Sequence, residues 1–149
     1  MAKHNIVTTS KMMGTKNDAL IEVTCKAKAD IDNGRIATVD FARGEVSYAT
    51  ANEGELFLIC TPEHTRYNGE TLVEFFNPKD KKVRVMKIMQ GDEFGTDAVV
   101  GGVSALEVGD KLSVQTDGQL GKDSSTGVFV VVEKKMVGYT LVADVRYNG

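Results

Sequence analysis

Lys111-Leu112-Ser113-Val114-Gln115-Thr116-Asp117-Gly118-Gln119-Leu120, then Gly127-Val128-Phe129-Val130-Val131-Val132, then Thr140-Leu141-Val142-Ala143-Asp144-Val145-Arg146-Tyr147, form the stretch that decides the fold class. Leu112 and Val114 fall on one side of a pleat, Thr116-Asp117-Gly118 turns the chain, and Leu120 opens the return strand, which makes a hairpin. Val128 to Val132 is too apolar for a half-solvated strand and too β-branched for a good helix, so it reads as a strand buried on both faces. Leu141, Ala143 and Val145 alternate with Val142, Asp144 and Arg146, the pattern of a closing strand with one wetter face. Together these segments describe a compact antiparallel unit without a catalytic signature.

Working back toward the N-terminus, the same grammar recurs. Ile21, Val23 and Cys25 alternate with Glu22, Thr24 and Lys26 as a half-buried strand. Asp32-Asn33-Gly34 reverses the chain, because Asn and Gly readily take positive φ, and Ile36 to Phe41 is the return strand. Arg43-Gly44-Glu45 and Asn52-Glu53-Gly54 are turns on either side of a short strand, Val46 to Tyr48. Glu55 to Cys60 is a second fully apolar strand, ended at Thr61-Pro62, where the ring removes a ladder donor. Tyr67-Asn68-Gly69 reads as a surface turn, and Leu72-Val73 with Phe75-Phe76 as strand or short helix. Asn77-Pro78-Lys79-Asp80 is a strong turn before an imperfectly alternating strand with Val83, Val85 and Ile88. Asp32-Asn33-Gly34-Arg35-Ile36 echoes Thr116-Asp117-Gly118-Gln119-Leu120, either as two uses of one turn chemistry or as a duplicated unit.

Composition agrees with many short strands. The 149 residues include 15 Gly and only 2 Pro, enough chain for one domain with a real core, and no segment has the caps and period of a long helix. The expected fold is mainly β, a small antiparallel β-barrel or β-sandwich domain at 19–149 with an extended N-terminal arm at 1–18. The arm is polar apart from Ile6-Val7 and Met12-Met13, pairs that a purely disordered tail would not need. Basic and acidic residues, 18 against 21, are well mixed along a chain of net charge −3, which excludes the concentrated basic face of a nucleic-acid binder. No apolar run approaches membrane-spanning length, and no secretory signal is evident, so the protein is expected to be made in the cytoplasm. Cys25 and Cys60 are too few for a disulfide framework and read as buried free thiols.

Catalytic and metal readings find no footing. Cys60 and His64 are four apart, but Pro62 lies between them and nothing in the spacing makes nucleophile meet base. His4, His64 and the two Cys lack paired metal-ligand spacing, and the acidic turns at Asp30, Asp32, Asp92, Asp110 and Asp117 lack the alternating ligands of a calcium loop. No catalytic residue, no metal site and no cofactor is expected, and the chain reads as a structural subunit, not an enzyme.

A resemblance joins these readings. Ala29-Asp30-Ile31-Asp32-Asn33-Gly34-Arg35-Ile36-Ala37, Gly44-Glu45-Val46-Ser47-Tyr48-Ala49-Thr50-Ala51, Glu55-Leu56-Phe57-Leu58-Ile59-Cys60-Thr61-Pro62-Glu63, Met89-Gln90-Gly91-Asp92-Glu93-Phe94 and Val108-Gly109-Asp110-Lys111-Leu112 occur in this order. The series resembles small capsid decoration, or cement, proteins of tailed phages that infect Gram-positive hosts. It covers roughly residues 18 to 147 and lacks the Pro-rich arm of smaller decoration proteins. The resemblance implies a β-rich virion protein bound to the capsid exterior, with the major capsid protein as partner, and a homo-oligomer, a trimer at local threefold positions. Capsid contact is expected at Ile6, Val7, Met12 and Met13, so that deleting 1–16 would abolish binding and leave the domain folded. An oligomer interface is expected at Leu72, Phe75 and Phe76, since adjacent Phe residues near turns are costly to leave wet. The alternatives are a tail or baseplate subunit using the same strands, and a surface-displayed carbohydrate-binding module. The latter would need exposed aromatics, for which the chain offers Tyr48, Tyr67, Tyr139 and Tyr147 but no Trp.

Overall fold

The structure, a computed structural model, describes residues 4–12, 22–62 and 75–149. Within them the strands are β1 (Val7–Thr8), β2 (Glu22–Ala27), β3 (Ile36–Asp40), β4 (Glu45–Tyr48), β5 (Phe57–Ile59) and β6 (Lys82–Lys87). They continue with β7 (Glu93–Thr96), β8 (Lys111–Val114), β9 (Leu120–Lys122), β10 (Phe129–Val137) and β11 (Thr140–Tyr147). The chain is mainly β, as the sequence implies, and it resolves the choice between barrel and sandwich by building a barrel and a separate sheet. β2, β4, β3, β5 and β6 close a barrel, and β1, β7, β11, β10, β8 and β9 lie in that order in a six-stranded sheet. Helix is confined, among the described residues, to short 3-10 turns such as Val103–Ala105 and Thr116–Gly118, and no helix there is long and apolar enough to cross a membrane.

The period of two in a strand explains how barrel and sheet are joined. Phe57 and Ile59 of β5 point into the barrel with Ala37, Val46, Val83 and Val85. Leu58, between them, faces the other way, into a larger core with Ile36, Met86, Phe94, Leu112, Leu120, Phe129, Val131, Ala143 and Val145. β5 is therefore buried on both faces, which is why Glu55 to Cys60 reads as continuously apolar. The barrel wall is one side of the core that the sheet completes.

Three local expectations change. Asp32-Asn33-Gly34 does not join a hairpin, because β3 pairs with β4 and β5, while β2 pairs with β6 and runs parallel to β4. Antiparallel pairing therefore holds throughout the sheet but not throughout the barrel. Second, β10 is not buried on both faces, and even at its start Val130 is only half-buried. Phe129 and Val131 are inside, a bulge between Val131 and Glu133 shifts the register, and Val132 lies at the surface. Third, the supposedly wet face of β11 is covered at Val142 and Asp144, leaving Arg146 exposed. β11 is a central strand between β7 and β10, and the side chains of Thr8, Val142 and Asp144 converge over Gly95, so neighbouring strands fill that face.

Candidate functional site

The polar residues that the structure concentrates most densely lie where the N-terminal segment crosses from barrel to sheet. β1 pairs with β7, Val7 opposite Thr96 and Thr8 opposite Gly95. Just before β1, Asp97 accepts from the Ile6 backbone N–H at 2.9 Å and from the Asn5 amide at 3.2 Å. Asp32, from the barrel, accepts from His4 Nδ1 at 2.6 Å and from the Asn5 N–H at 3.2 Å. Arg35 donates from Nε to Asn5 Oδ1 at 2.9 Å and lies 3.8 Å from Asp32 Oδ2. Its guanidinium rests over the Tyr48 ring, 4.9 Å from the centroid. His4 is also stacked on Phe76, ring centroids 4.8 Å apart. Two carboxylates from opposite lobes thus grip successive groups of one extended segment, and charge-assisted bonds of this kind are the stronger ones.

Asp32-Asn33-Gly34 is the hub of this clamp. Asn33 donates to the Thr61 carbonyl at 2.8 Å and accepts from the Thr61 N–H and the Asn77 amide at 3.1 Å each. Asn77 also bonds Ile31 through backbone and side chain. Gly34 carries φ 83° and its carbonyl accepts from Thr96 Oγ1 at 2.7 Å; a Cβ there would meet the Ile6 carbonyl oxygen at 2.6 Å. The echoed turn, Thr116-Asp117-Gly118, makes the reciprocal contact. Gly118, at φ 68°, presses on the Ile36 carbonyl of β3 and donates to Ala49, and the Asp117 carbonyl accepts from Arg35. The two similar turns are two stitches, one sewing barrel to sheet and the other sheet to barrel.

Tyr48 completes the cluster by accepting from the Asp32 N–H at 2.8 Å. Burial pushes its hydroxyl above the ordinary tyrosine range, against the smaller opposing effects of that backbone bond and of Arg35. At the far end of the sheet, the Asp123 carboxyl is held well below the usual carboxylate range by hydrogen bonds from Thr126 and Ser125. Among the described residues, no three His, Cys, Asp or Glu converge to hold a metal ion. Cys25 is half-buried and Cys60 buried, and neither is in a disulfide. His64 lies outside the described residues.

The residues singled out from sequence are placed as follows. Ile6 and Met12 are buried within the subunit, Met12 in the core shared by barrel and sheet, and Val7 is half-buried against that core. Ser10 and Lys11 are the exposed side of the segment. Phe75 is buried and Phe76 half-buried on His4. Met13 and Leu72 lie outside the described residues. Phe76 is thus brought against the N-terminal segment at His4, two residues before the expected capsid-contact residue Ile6. The clamp residues Asn5, Asp32, Asn33, Arg35 and Asp97 carry no sequence signal beyond turn chemistry, since their partners lie up to 92 positions away.

Comparison with known proteins places the chain among phage sequences. Residues 3–120 match the family described as YonC prophage protein. No curated protein matches the chain. Among solved structures, the N base of the head fibre gp8.5 of bacteriophage phi29 is similar at 20% identity and a TM-score of 0.49, over 84% of this chain and 92% of that one. The family match runs from the clamped N-terminal segment through the barrel to the start of β9, and the chain belongs to the YonC prophage protein family.

Proposed function

We propose that this chain is a non-enzymatic virion protein that binds the outer surface of a tailed-phage capsid and stabilises the shell across subunit seams. The observation that carries the reading is membership of a prophage family by a chain whose turn and strand motifs resemble head decoration proteins. The architecture supports it. Two lobes locked by reciprocal stitches make a stiff body, and a stiff body adds to a shell by burying surface across seams, with many copies supplying avidity.

The partner in this reading is the major capsid protein, and the subunit acts as a homo-oligomer on the virion exterior. In the free subunit, Ile6 and Met12 already sit in its own core, so a shell contact through this segment falls to its outward side, Ser10, Lys11 and the accessible part of Val7. Met13 belongs to the same proposed contact, and Leu72, Phe75 and Phe76 to the proposed oligomer interface, with Phe75 contributing through the packing of its loop because its side chain is internal.

Co-sedimentation of the purified protein with undecorated capsids tests the reading. Saturable binding at a fixed ratio to the major capsid protein is the expected result. Absence of binding, with the protein forming rings or tubes alone, would overturn it in favour of a tail subunit.

A further inference from the structure

β10 presents an open edge. β8 pairs with it only at Phe129 and Val130, and Val131 bonds Gly109 and Asp110; past that point no described strand accompanies its outer side. The bulge at Val132 bends the strand, and β10 and β11 continue as a two-stranded hairpin to the turn at Gly138 and Tyr139. Apolar side chains gather there. Met136 is 58% exposed, Tyr139 fully exposed, and Val132 joins them at the surface.

Edge strands of this kind usually carry lysines that oppose pairing with another chain. Lys134 and Lys135 stand at the expected places, yet both ammonium groups are drawn back into their own subunit. Lys134 Nζ donates to the Leu106 carbonyl at 2.8 Å, and Lys135 Nζ lies 3.1 Å from the buried carboxylate of Asp144. Their charges no longer guard the edge.

We infer that the outer edge of β10 is a docking surface for a second copy of this chain, paired antiparallel about a twofold axis at Lys134. The sequence Val132-Glu133-Lys134-Lys135-Met136 is self-complementary in that register. Val132 faces Met136 and Glu133 faces Lys135, each pair occurring twice, and directly opposed unlike charges and apolar pairs are what stabilise neighbouring strands; Lys134 meets its own copy at the axis, where its ammonium is turned away to the Leu106 carbonyl. Moving the axis by half a residue one way sets Lys134 against Lys135 and Glu133 against Met136, and the other way sets Val132 against Lys135, so the apolar pairs and the opposed charges together select the first register. The main chain supplies the attraction, as in strand addition generally. This twofold contact differs from the threefold arrangement that the resemblance implies, and it does not depend on whether the protein coats a head or builds a tail.

Light scattering on the full chain over a concentration series, with two variants, tests the inference. The unmodified chain is expected to reach twice the 16.1 kDa mass of one chain, and Met136→Asp to remain at one mass with an unchanged circular dichroism spectrum. Lys134→Cys places two thiols across the axis at a separation a disulfide can span, so mild oxidation is expected to give a covalent dimer that the unmodified chain, with Cys25 and Cys60 alone, does not. A single mass at every concentration would overturn the inference. So would a dimer that survives Met136→Asp while the Lys134→Cys variant stays uncrosslinked. Protection of the edge only after capsids are added would overturn it too, in favour of a shell protein as the occupant.

Discussion

Two exposed edges of the sheet answer opposite demands. At the β1 edge, each successive polar group of the N-terminal segment meets a partner from the body of the protein, and Asp32 and Asp97 clamp the strand from opposite lobes. Along β10, where it runs past its short pairing with β8, the backbone edge beyond Val131 is open among the described residues and Met136 and Tyr139 stand in solvent. Both are strand edges, and an open edge invites another chain. The difference shows that this fold closes one edge with its own N-terminus and leaves the other available.

The contrast can be broken most severely at the closed end. Deleting residues 1–12 strips Asp32 and Asp97 of their N-terminal hydrogen-bond donors, removes buried Ile6 and Met12 and bares β7. A single buried Ile or Met cut to Ala typically costs about 2–5 kcal/mol, so losing both side chains should consume most of a small domain's stability. Loss of the cooperative unfolding transition is the expected outcome, against the survival of a folded domain expected from sequence. Next in size is Gly34→Val. A non-glycine residue at this φ costs about 1–2 kcal/mol and overpacking against the Ile6 carbonyl adds roughly 1–3 kcal/mol, read as a fall in urea midpoint. Gly118→Val should behave alike if the two turns are equivalent stitches, and a much smaller loss there would show that they are not.

Asn33→Ala comes third. It leaves the part-buried Thr61 N–H and carbonyl without their side-chain partner, at a cost of about 1–3 kcal/mol in thermal or urea unfolding. Fourth, the clamp should weaken in alkali. The Tyr48 hydroxyl has a raised pKa in the folded state, so its contribution is complete below pH 10, the ordinary tyrosine value, and is lost as pH rises through the higher folded value. Unfolding followed from pH 8 to 12 should show this loss, and Tyr48→Phe should reduce the slope. Smallest in stability are changes at the open end. Tyr139→Ser and Met136→Asp should each shift unfolding by no more than about 0.5 kcal/mol while altering association.

The β class is legible in the sequence because it depends on local chemistry. Val83 and Val85, Phe57 and Ile59, and the turns at Gly44, Gly54 and Asp80 declare strands and reversals within a few residues. Pairing is not legible, because a period of two assigns faces and never partners. Nothing near Lys26 tells that it will run parallel beside Glu45, and nothing near Asp144 tells that Thr8 will share the space over Gly95 with it. Asp32-Asn33-Gly34 declares itself as a turn; its role as the hub of the clamp rests on Asn5, Thr61, Asn77 and Thr96, all far away in sequence. The open edge of β10 is hidden for a related reason. Val128 to Val132 reads as one buried run until the bulge at Val132 is seen. Kinship with phage proteins is carried by ordered turn-and-strand motifs, and the prophage family match agrees with it.

Hydrogen exchange of the full chain, read by mass spectrometry when dilute and again at high concentration without capsids, tests the central contrast most directly. Slow exchange is expected at Ile6, Gly34 and Asn77 in both states, because their amides donate to Asp97, Ile59 and Ile31. Amides from Val132 to Val137 on the outer edge are expected to exchange fast when dilute and to become protected as the chains associate. Fast exchange throughout residues 4–12 in the dilute subunit, with no change in β10 at any concentration, would contradict both halves of the contrast.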